Sequence, residues 1–234
     1  MHRSLGRISA AVLSIVIPTL EAAGSLGRTL EAIAGADIAR EVIVADGGSA
    51  DATRRVAARH GARIVDAPRG RGRQLAAGAA AATSEWLLFL HADTVPQPGW
   101  AEAVGAFTAV PANRRRAAVF RFALDDPAPA ARRLERMVAW RCTTFGLPYG
   151  DQGLLIGRRF YDDIGGFAPI PLMEDVDIVR RIGRRRLVVL DVAAVASAER
   201  YRRGGYVARP LRNLTCLGLY FLGVPPRLIA RIYR

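Results

Sequence analysis

Four short, mainly apolar runs dominate the first half of the chain, and a stretch of helical character separates each from the next. The runs span residues 12–17, 41–45, 62–65 and 86–90, and the predicted helices between them span 25–34, 51–59 and 74–82. Runs of this length are typical of strands buried on both faces of a sheet. Strands that alternate with helices predict a parallel sheet with right-handed crossovers, which binds ligands at the carboxyl ends of its strands.

The second half is less regular but continues as mixed α and β structure. Strands are predicted over 117–124, 153–157 and 187–190, and helices over 130–140 and 174–182. Residues 206–234 predict one or two amphipathic helices broken at Pro225-Pro226. Because the chain contains no repeat or low-complexity linker, we expect one α/β domain over residues 1–234.

The charge of the chain indicates an anionic partner. All 34 Lys and Arg positions are Arg, against 21 acids, which gives a net charge of +13. Nucleic acid, a phospholipid surface and a phosphorylated ligand all fit that sign. Two cysteines are too few for a disulfide framework, and Cys and His lack zinc-ligand spacing. We expect a cytoplasmic protein, because no signal-peptide pattern or membrane-spanning apolar run is present.

Polar clusters follow the first, second and fourth runs, and each has a structural and a functional interpretation. After the first run, Thr19 could cap the next helix, or Glu21 could face the ribose or base of a ligand. After the second, Asp46 precedes Gly47-Gly48-Ser49, which suits either a capped turn or hydrogen bonding to a nucleotide. Both interpretations stay open for these residues.

The other two clusters could carry metal and proton chemistry. Asp93 appears just as the fourth run ends and suits a divalent metal, since Mg²⁺ and Mn²⁺ favour one or two carboxylates plus phosphate oxygens. His91 could be a second metal ligand, a phosphate contact or a packed polar residue. Glu174 and Asp175 could complement a helix dipole, or one of them could be a general base.

Residues 68–74, Pro-Arg-Gly-Arg-Gly-Arg-Gln, precede a predicted helix. Arginines, flexible glycines and a helix N-terminus suit a diphosphate, although a solvated basic loop is equally consistent. The segment lacks the Gly-Lys-Ser/Thr of a P-loop, and the first strand is followed by Pro18-Thr19 in place of dinucleotide-binding glycines.

The order of these motifs resembles the family 2 glycosyltransferases over about residues 12–200. The segments that carry the resemblance are 13–21 (Leu-Ser-Ile-Val-Ile-Pro-Thr-Leu-Glu), 41–49 (Glu-Val-Ile-Val-Ala-Asp-Gly-Gly-Ser), 89–93 (Phe-Leu-His-Ala-Asp) and 173–175 (Met-Glu-Asp). Segments 70–78 and 149–153 resemble a bacterial subgroup whose acceptors are mostly unassigned. The resemblance implies a GT-A fold, with a Rossmann-like, mainly parallel sheet flanked by helices and with C-terminal amphipathic helices.

The resemblance also implies an activity and a set of site residues. The activity is inverting transfer of a sugar from a nucleotide-diphospho-sugar to a hydroxyl acceptor, whether lipid-linked or not. The nucleoside site would be lined by Pro18, Thr19, Glu21 and Asp46. Asp93 would match the last acid of the Asp-x-Asp metal motif, whose first Asp is replaced by His91, so these two are the candidate ligands of Mg²⁺ or Mn²⁺. Asp175 would match the catalytic base, with Glu174 beside it.

Further residues follow from the same resemblance. Asp151 and Gln152 would lie near the acceptor or the donor sugar, and Arg71 and Arg73 are candidate diphosphate contacts. The nucleotide-binding half would span 1–110, the acceptor and catalytic half 111–200, and the basic amphipathic helices 201–234.

The C-terminal segment is basic throughout. After Glu199 the chain has eight arginines and no acid, interleaved with leucines and aromatic residues. Such a segment could lie on an anionic membrane, on the inner face of the cell membrane, and would then favour a lipid-linked acceptor. Alternatively it could pack on the core with its basic face in water. The sequence also leaves open whether the chain forms a homodimer.

The sequence leaves three other functions open. A sugar-phosphate nucleotidyltransferase would use a similar nucleoside site and metal, but it normally has a Gly-rich, Arg-containing loop where this chain has residues 18–21. A non-catalytic protein that binds nucleic acid or another anion fits the charge, yet zinc-finger, helix-turn-helix and RNA-binding aromatic motifs are lacking, so nucleic acid is not expected. A non-catalytic sugar-nucleotide binder is the third.

Overall fold

Eight strands form one sheet in a computed structural model, which describes residues 13–233. The strands are β1 (Leu13–Thr19), β2 (Arg40–Asp46), β3 (Arg63–Asp66), β4 (Trp86–Phe89), β5 (Thr94–Pro96), β6 (Ala117–Leu124), β7 (Leu154–Gly157) and β8 (Leu187–Ala196). Their order across the sheet is β3-β2-β1-β4-β7-β6-β8-β5. The predicted strand start at Val12, the N-terminal residues before it and Arg234 lie outside the described residues.

Ten α-helices connect and cover the strands within that part of the chain. They are α1 (Ala23–Ala34), α2 (Thr53–Arg59), α3 (Arg71–Ala81), α4 (Trp100–Thr108), α5 (Pro129–Phe145), α6 (Arg158–Asp163), α7 (Glu174–Ile182), α8 (Glu199–Gly204), α9 (Ala208–Phe221) and α10 (Pro226–Tyr233). The structure thus confirms the predicted α/β class, with helices on both faces of the sheet.

The first four strands pair in parallel, as their apolar runs predict. β1 lies between β2 and β4, and β3 is the outer neighbour of β2. The second half departs from a purely parallel sheet, because β7 runs antiparallel to both β4 and β6, and β5 runs antiparallel to β8. The parallel half brings the ends of β1, β2 and β4 to one edge, where the first three polar clusters stand.

Side chains of alternating residues in each buried strand reach opposite faces of the sheet. Ile15 and Ile17 of β1 pack with α1 and α4 on one face, while Val16 packs with α3, α6 and α7 on the other. A smaller core joins α5 to the ends of β6 and β8, and another joins the start of α7 to α9 and α10. The C-terminal helices therefore cover the edge of the sheet where α7 begins.

Several predicted helix caps and element boundaries were wrong. Neither Thr19 nor Ser49 caps a helix, because α1 and α2 start after Ala22 and Ala52, and both hydroxyls donate to Asp46 instead. α3 begins at Arg71, so the arginines of the predicted loop belong to its first turn. The strand predicted over 187–190 continues to Ala196, where pairing with β6 and β5 extends it.

Helix α9 exposes several apolar residues and turns two arginines toward the protein. Its outer face and flanks are apolar and exposed, with Val207 at 78%, Leu211 and Leu214 at 61% and Leu222 at 82%. The side that faces the protein carries Arg209, Arg212, Asn213, Cys216 and Leu217, which are buried or half-buried. Of the helices in residues 13–233, none has the length and apolar character that a membrane crossing requires.

Candidate functional site

The carboxyl ends of β1 and β4 open into a cleft of about 600 Å³. The first turn of α3, the turn after β4, the loop before α7, and α8 and α10 form its walls. The lining residues are Pro18, Thr19, Leu20, Glu21, Ala22, Ser25, Arg69, Gly70, Arg71, Gln74, His91, Ala92, Asp93, Pro171, Leu172, Arg200, Ala230 and Tyr233. Three arginines and two carboxylates among these residues give the cleft a basic character, which suits a phosphorylated ligand.

Glu21 is fixed at the end of β1 by contacts with the neighbouring turn. Its backbone has φ 52°, a left-handed conformation that non-glycine residues rarely adopt. Its carboxylate accepts a hydrogen bond from the N–H of Ala50 at 2.7 Å, and its own N–H donates to Ser49 Oγ at 2.9 Å. These contacts hold the strained residue at the wall of the cleft.

Asp46 lies at the end of β2, fully buried, and its carboxylate is occupied by the chain itself. It accepts from the hydroxyls of Thr19 at 3.0 Å and Ser49 at 2.6 Å, and from the N–H groups of Gly48 and Ser49 at 3.2 and 3.0 Å. Burial raises its pKa, but the hydrogen bonds from Ser49, Thr19 and Gly48 together bring it below the ordinary value. Asp46 thus joins β1 to the turn after β2.

The first turn of α3 lies close to the loop before α7. A side chain at Gly72 would collide with the backbone oxygen of Ala168, so only glycine permits this approach. Gln74 is buried between β1 and β2, and its Nε2 donates to the carbonyls of Thr19 and Ala45. This packing directs Arg71 into the cleft, whereas Arg73 is exposed on another side of the helix.

The turn after β4 places His91 and Asp93 on the cleft wall. Asp93 keeps 28% of its side chain exposed, and its Oδ2 lies 3.8 Å from Arg200 Nη2. Burial, and then the charge of Arg71, lower the pKa of His91 to about 4, so its imidazole is neutral near pH 7. A neutral imidazole and a partly exposed carboxylate are groups that can ligate a metal.

A small cavity of about 30 Å³, enough for a water molecule, lies beside the cleft. Its lining includes Tyr149, Gly150, Glu174 and Asp175, and His91 lines both spaces. Asp175 Oδ2 accepts from the N–H of Gly150 at 2.9 Å, and Oδ1 accepts from the N–H of Val176 at 2.8 Å. His91 therefore lines one space together with Asp93 and the other together with Asp175.

Glu174 is almost completely buried and contacts the first turn of α3. Arg71 Nη1 donates to Glu174 Oε1 at 3.2 Å. Burial raises the pKa of Glu174, although the charge of Arg71 opposes that shift. Met173, the residue before it, has φ 68°, so strained backbone stands directly before the two acids.

Asp151 and Gln152 follow Gly150 in the same loop. Gln152 is buried, donates to the carbonyl of Phe120 at 3.0 Å and accepts from Cys142 Sγ at 3.1 Å. Asp151 Oδ1 is buried and lacks a hydrogen-bond partner among the described residues. Burial raises the pKa of Asp151 to about 6.

The candidate residues divide into two groups by position. The large cleft brings together Pro18, Thr19, Glu21, Arg71, His91 and Asp93, and the small cavity adds Glu174 and Asp175. In the part of the chain that is described, Asp46, Arg73, Asp151 and Gln152 line neither space. The sequence interpretation missed Arg200 and Tyr233 as lining residues; the signal was the acid-free segment after Glu199.

The donor set fits a metal shared with a substrate better than a metal held by protein alone. Over residues 13–233, no group of three or more His, Cys, Asp and Glu side chains could hold a metal ion. His91 and Asp93 supply two donors, and phosphate oxygens and water would complete the shell, as is common for Mg²⁺.

Comparisons with known proteins agree with this geometry. A family model described as Glycosyl transferase family 2 matches residues 14–139. Glucosyl-3-phosphoglycerate synthase from Mycobacterium tuberculosis, solved with Mn²⁺, UDP and glucosyl-3-phosphoglycerate, is 18% identical with a TM-score of 0.62, over 92% of this chain and 81% of that one. Mannosyl-3-phosphoglycerate synthase from Rubrobacter xylanophilus is 20% identical, with a TM-score of 0.59, over 92% and 76%.

TarS from S. aureus is 14% identical with a TM-score of 0.64, over 88% of this chain and 39% of that one. At these identities the likeness establishes the fold. Curated proteins give no match to the chain.

The chain belongs to glycosyl transferase family 2, since the family model covers more than half of it. It is a glycosyltransferase with a GT-A fold. This result favours glycosyl transfer over the nucleotidyltransferase and the non-catalytic binding proteins that the sequence left open.

Proposed function

We propose that the protein catalyses inverting transfer of a sugar from a nucleotide-diphospho-sugar to a hydroxyl acceptor. The observation that carries the proposal is a large basic cleft that meets, at His91, a small cavity lined by Asp175. The cleft offers room and charge for a nucleoside diphosphate, and the cavity offers a carboxylate beside it.

In this proposal the end of β1 binds the nucleoside and the arginines bind the diphosphate. Pro18, Thr19 and Glu21 line the part of the cleft next to β1. Asp46 acts on this surface through its hydrogen bond to Thr19. Arg71 and Arg200, which line the cleft, neutralise the charge that develops on the departing diphosphate, whereas Arg73 is exposed elsewhere on α3.

We assign His91 and Asp93 as the protein ligands of a divalent metal, Mg²⁺ or Mn²⁺. When bound, such a metal supplies a positive charge to the diphosphate leaving group. The Mn²⁺ and UDP bound to the synthase from M. tuberculosis support this choice. Arg200, close to Asp93 in the structure, would remain near the diphosphate as a second cation.

Asp175 is proposed as the general base. An acceptor hydroxyl gives its proton to a carboxylate oxygen of Asp175 while its oxygen attacks the anomeric carbon. The bond to the nucleoside diphosphate breaks on the opposite face, so the configuration inverts in a single displacement. The N–H of Gly150 holds Oδ2 in place, and Glu174 keeps Arg71 in the cleft through their ion pair.

Asp151 and Gln152 are proposed to support the acceptor side of the site. Gln152 ties the loop to β6, and Asp151 presents an oxygen without a partner among the described residues. In this proposal the chain divides into three parts. Residues 1–110 bind the nucleotide, residues 111–200 supply the acceptor site and the base, and residues 201–234 form the basic C-terminal helices.

Product analysis tests the proposed reaction. A panel of nucleotide-sugars is incubated with the enzyme, Mn²⁺ and glycerol 3-phosphate as the hydroxyl acceptor, and the products are followed by phosphorus and proton NMR. We expect the reaction to release a nucleoside diphosphate. We also expect a donor with an α-linked sugar to give a product with the β configuration. Release of pyrophosphate, or a product that retains the donor's configuration, would contradict the proposal.

We further propose that the outer face of α9 rests on an anionic membrane. The face is apolar and exposed, and Arg202, Arg203, Arg227 and Arg231 are exposed at the neighbouring ends of α8 and in α10. Arg202 pairs with Asp125 and Asp126, and Arg203 pairs with Glu199, so the exposed arginines of α10 are the ones available to lipid phosphates. An apolar face beside exposed arginines matches an anionic lipid surface. This position would put the protein on the inner face of the cell membrane and favour a lipid-linked acceptor.

Vesicle sedimentation tests the membrane proposal. We expect binding to vesicles that contain phosphatidylglycerol, little binding to pure phosphatidylcholine, and loss of binding in Leu211→Glu/Leu214→Glu. Arg133→Gln, on the exposed side of α5, is the control. The proposal would be overturned if the wild-type chain did not bind anionic vesicles and formed a dimer in solution, because a second copy would then cover α9.

A further inference from the structure

Buried polar atoms without hydrogen-bond partners are concentrated in one region, between α5, the loop after it and α9. Six such side-chain atoms occur in residues 13–233, and five belong to Arg141, Asp151, Arg209, Arg212 and Asn213. An unsatisfied buried polar group costs about 1–3 kcal/mol, and a charged group costs more. Arg141, Asp151 and Arg209 all lie near Tyr201, since their charges act on its phenol. Polar groups concentrated in this way need partners that the chain does not supply, and an anionic ligand provides acceptors for the guanidiniums.

Three guanidiniums in this region stack on tyrosine rings. The Cζ of Arg141 lies 3.5 Å from the ring centre of Tyr149, that of Arg209 lies 5.8 Å from Tyr201, and that of Arg212 lies 5.2 Å from Tyr233. We call these six residues the arginine–tyrosine cluster. Arg141 Nε donates to the carbonyl of Leu147 at 2.8 Å, which holds this guanidinium in place. Arg141 Nη2, Arg209 Nε and Arg212 Nε lack a hydrogen-bond partner among the described residues and can donate to an added acceptor.

The arginines of the cluster lack carboxylate partners. Across residues 13–233, no ion pair within 4.0 Å involves Arg141, Arg209 or Arg212. Asp151 is a nearby acid. Burial raises the pKa of the Tyr201 phenol; the charge of Asp151 adds to that shift, and the charge of Arg209 opposes it. Asp175, which lines the small cavity with Tyr149, is a second acid beside the cluster. Three guanidiniums against these two carboxylates leave a net positive charge in a partly desolvated place, which an anion would compensate.

The cluster borders both spaces of the site. Tyr149 lines the small cavity with Asp175, and Tyr233 lines the large cleft. Tyr149 and Tyr233 also pack against the same apolar core of α7, α9 and α10. The arginines that line the donor cleft are Arg69, Arg71 and Arg200, so the cluster provides a second set of guanidiniums on the base's side.

We propose that the arginine–tyrosine cluster binds an anionic group of the phosphate class carried by the acceptor. This inference rests on the proposed function, since it assigns the acceptor side of that site. The acceptor's hydroxyl would then reach Asp175 while its phosphate lies among Arg141, Arg209 and Arg212. This role accounts for the two arginines on the inner side of α9, because they supply two of the guanidiniums. The phosphate can belong to a lipid headgroup or to a small soluble molecule.

Calorimetric titration with phosphate probes tests the inference. Glycerol 3-phosphate, glycerol and monomeric dihexanoyl phosphatidic acid are titrated into the full chain, saturated with a nucleoside diphosphate and Mn²⁺ so that the donor cleft is filled. We expect both phosphate probes to bind and glycerol not to bind. A phosphatidic acid that binds about tenfold more tightly or better indicates a lipid acceptor, and equal or tighter binding of glycerol 3-phosphate indicates a soluble one.

Two variants of α9 and one control connect the binding to the cluster. Arg209→Gln and Arg212→Gln are each expected to weaken phosphate binding about tenfold. Their melting temperature should hold or rise, because an unpartnered buried charge is removed. Arg212→Lys should retain part of the binding, and Arg133→Gln on α5 should bind like wild type.

The outcomes separate this inference from the proposed function. Phosphate binding that is unchanged in Arg209→Gln/Arg212→Gln, or glycerol binding as tight as that of glycerol 3-phosphate, overturns the inference. A wild-type chain that binds no nucleoside diphosphate contradicts the proposed function instead, and the probes are then titrated alone. In that case, loss of phosphate binding in the double variant still supports an anion site at the cluster.

Discussion

The backbone N–H of Gly150 donates a hydrogen bond to Oδ2 of Asp175 at 2.9 Å, which ties the loop after α5 to the first turn of α7. A Cβ atom at residue 150 would lie 2.6 Å from His91 Nε2 and 3.6 Å from Asp175 Oδ2. Gly150 therefore contacts both His91 and Asp175 where the cleft meets the small cavity.

Gly150→Ala should disturb this contact without unfolding the protein. The added methyl group displaces the His91 ring, and we expect turnover to fall about 10- to 100-fold because small misplacements of reacting groups reduce rates strongly. Steady-state kinetics measures the effect. Gly105→Ala in α4, where a Cβ meets open space, is the control and should match wild type or be slightly more stable. Equal turnover of both variants would contradict the role of this contact.

Asp175→Asn should abolish most of the turnover and preserve donor binding. Loss of a general base reduces rates about 10²- to 10⁴-fold, while the nucleotide contacts lie in the cleft and stay intact. Nucleoside diphosphate release and nucleotide-induced thermal shift give the two readouts. Asp177→Asn, on the same helix and paired with Arg181, is the matched control and should keep its turnover. Full activity in Asp175→Asn would remove it as the base.

Asp46→Asn should destabilise the protein in a pH-dependent way. The folded pKa of Asp46 is lowered, so its stabilising contribution is present above the ordinary value of 3.8 and is lost as the pH falls through the folded pKa. We expect a loss of about 1–3 kcal/mol in the free energy of unfolding at pH 7, from the broken hydrogen bonds. Urea unfolding at pH 7 and at lower pH measures it. A difference that stays constant down to the lowest pH would contradict this account.

Asp151→Asn should stabilise the protein at high pH, in contrast to Asp46→Asn. Burial raises the folded pKa of Asp151 to about 6 from the ordinary 3.8, so its ionised form opposes folding once the pH exceeds that range. At pH 8 the variant should be more stable than wild type by about 1–3 kcal/mol, and at pH 4 the gain should largely vanish. Asp37→Asn, exposed in the turn after α1, is the control. Lower stability of Asp151→Asn at pH 8 would show that the carboxylate is stabilising after all.

The sequence predicted the parallel half of the sheet and much of the site because both depend on local patterns. The apolar runs of β1, β2 and β4 are buried on both faces, and each ends at a polar cluster that the topology carries to one edge. His91 and Asp93 were predicted in this way and line the cleft. Glu174 and Asp175 were predicted from an acidic pair at a helix start and from the family resemblance, and they line the small cavity.

Other features depend on tertiary contacts that a local pattern does not contain. β5 has three residues and is defined by its pairing with β8, and the start of α3 at Arg71 depends on the close approach of Gly72 to the loop before α7. The orientation of α9 was also beyond prediction. An amphipathic pattern specifies two faces, but it does not predict that Arg209 and Arg212 turn inward on the same side as the buried apolar residues of α9.

Titration calorimetry of nucleoside diphosphates tests the central claim most directly. Uridine and guanosine diphosphates are titrated into wild type with Mn²⁺, with a chelator, and into Asp93→Asn with Mn²⁺; Asp163→Asn, on α6 and away from the cleft, is the control. The account predicts that at least one nucleotide binds wild type with Mn²⁺, and that binding weakens about tenfold or more with chelator and in Asp93→Asn. A wild-type chain that binds neither nucleotide with Mn²⁺, or an Asp93→Asn variant that binds as tightly as wild type, would contradict it.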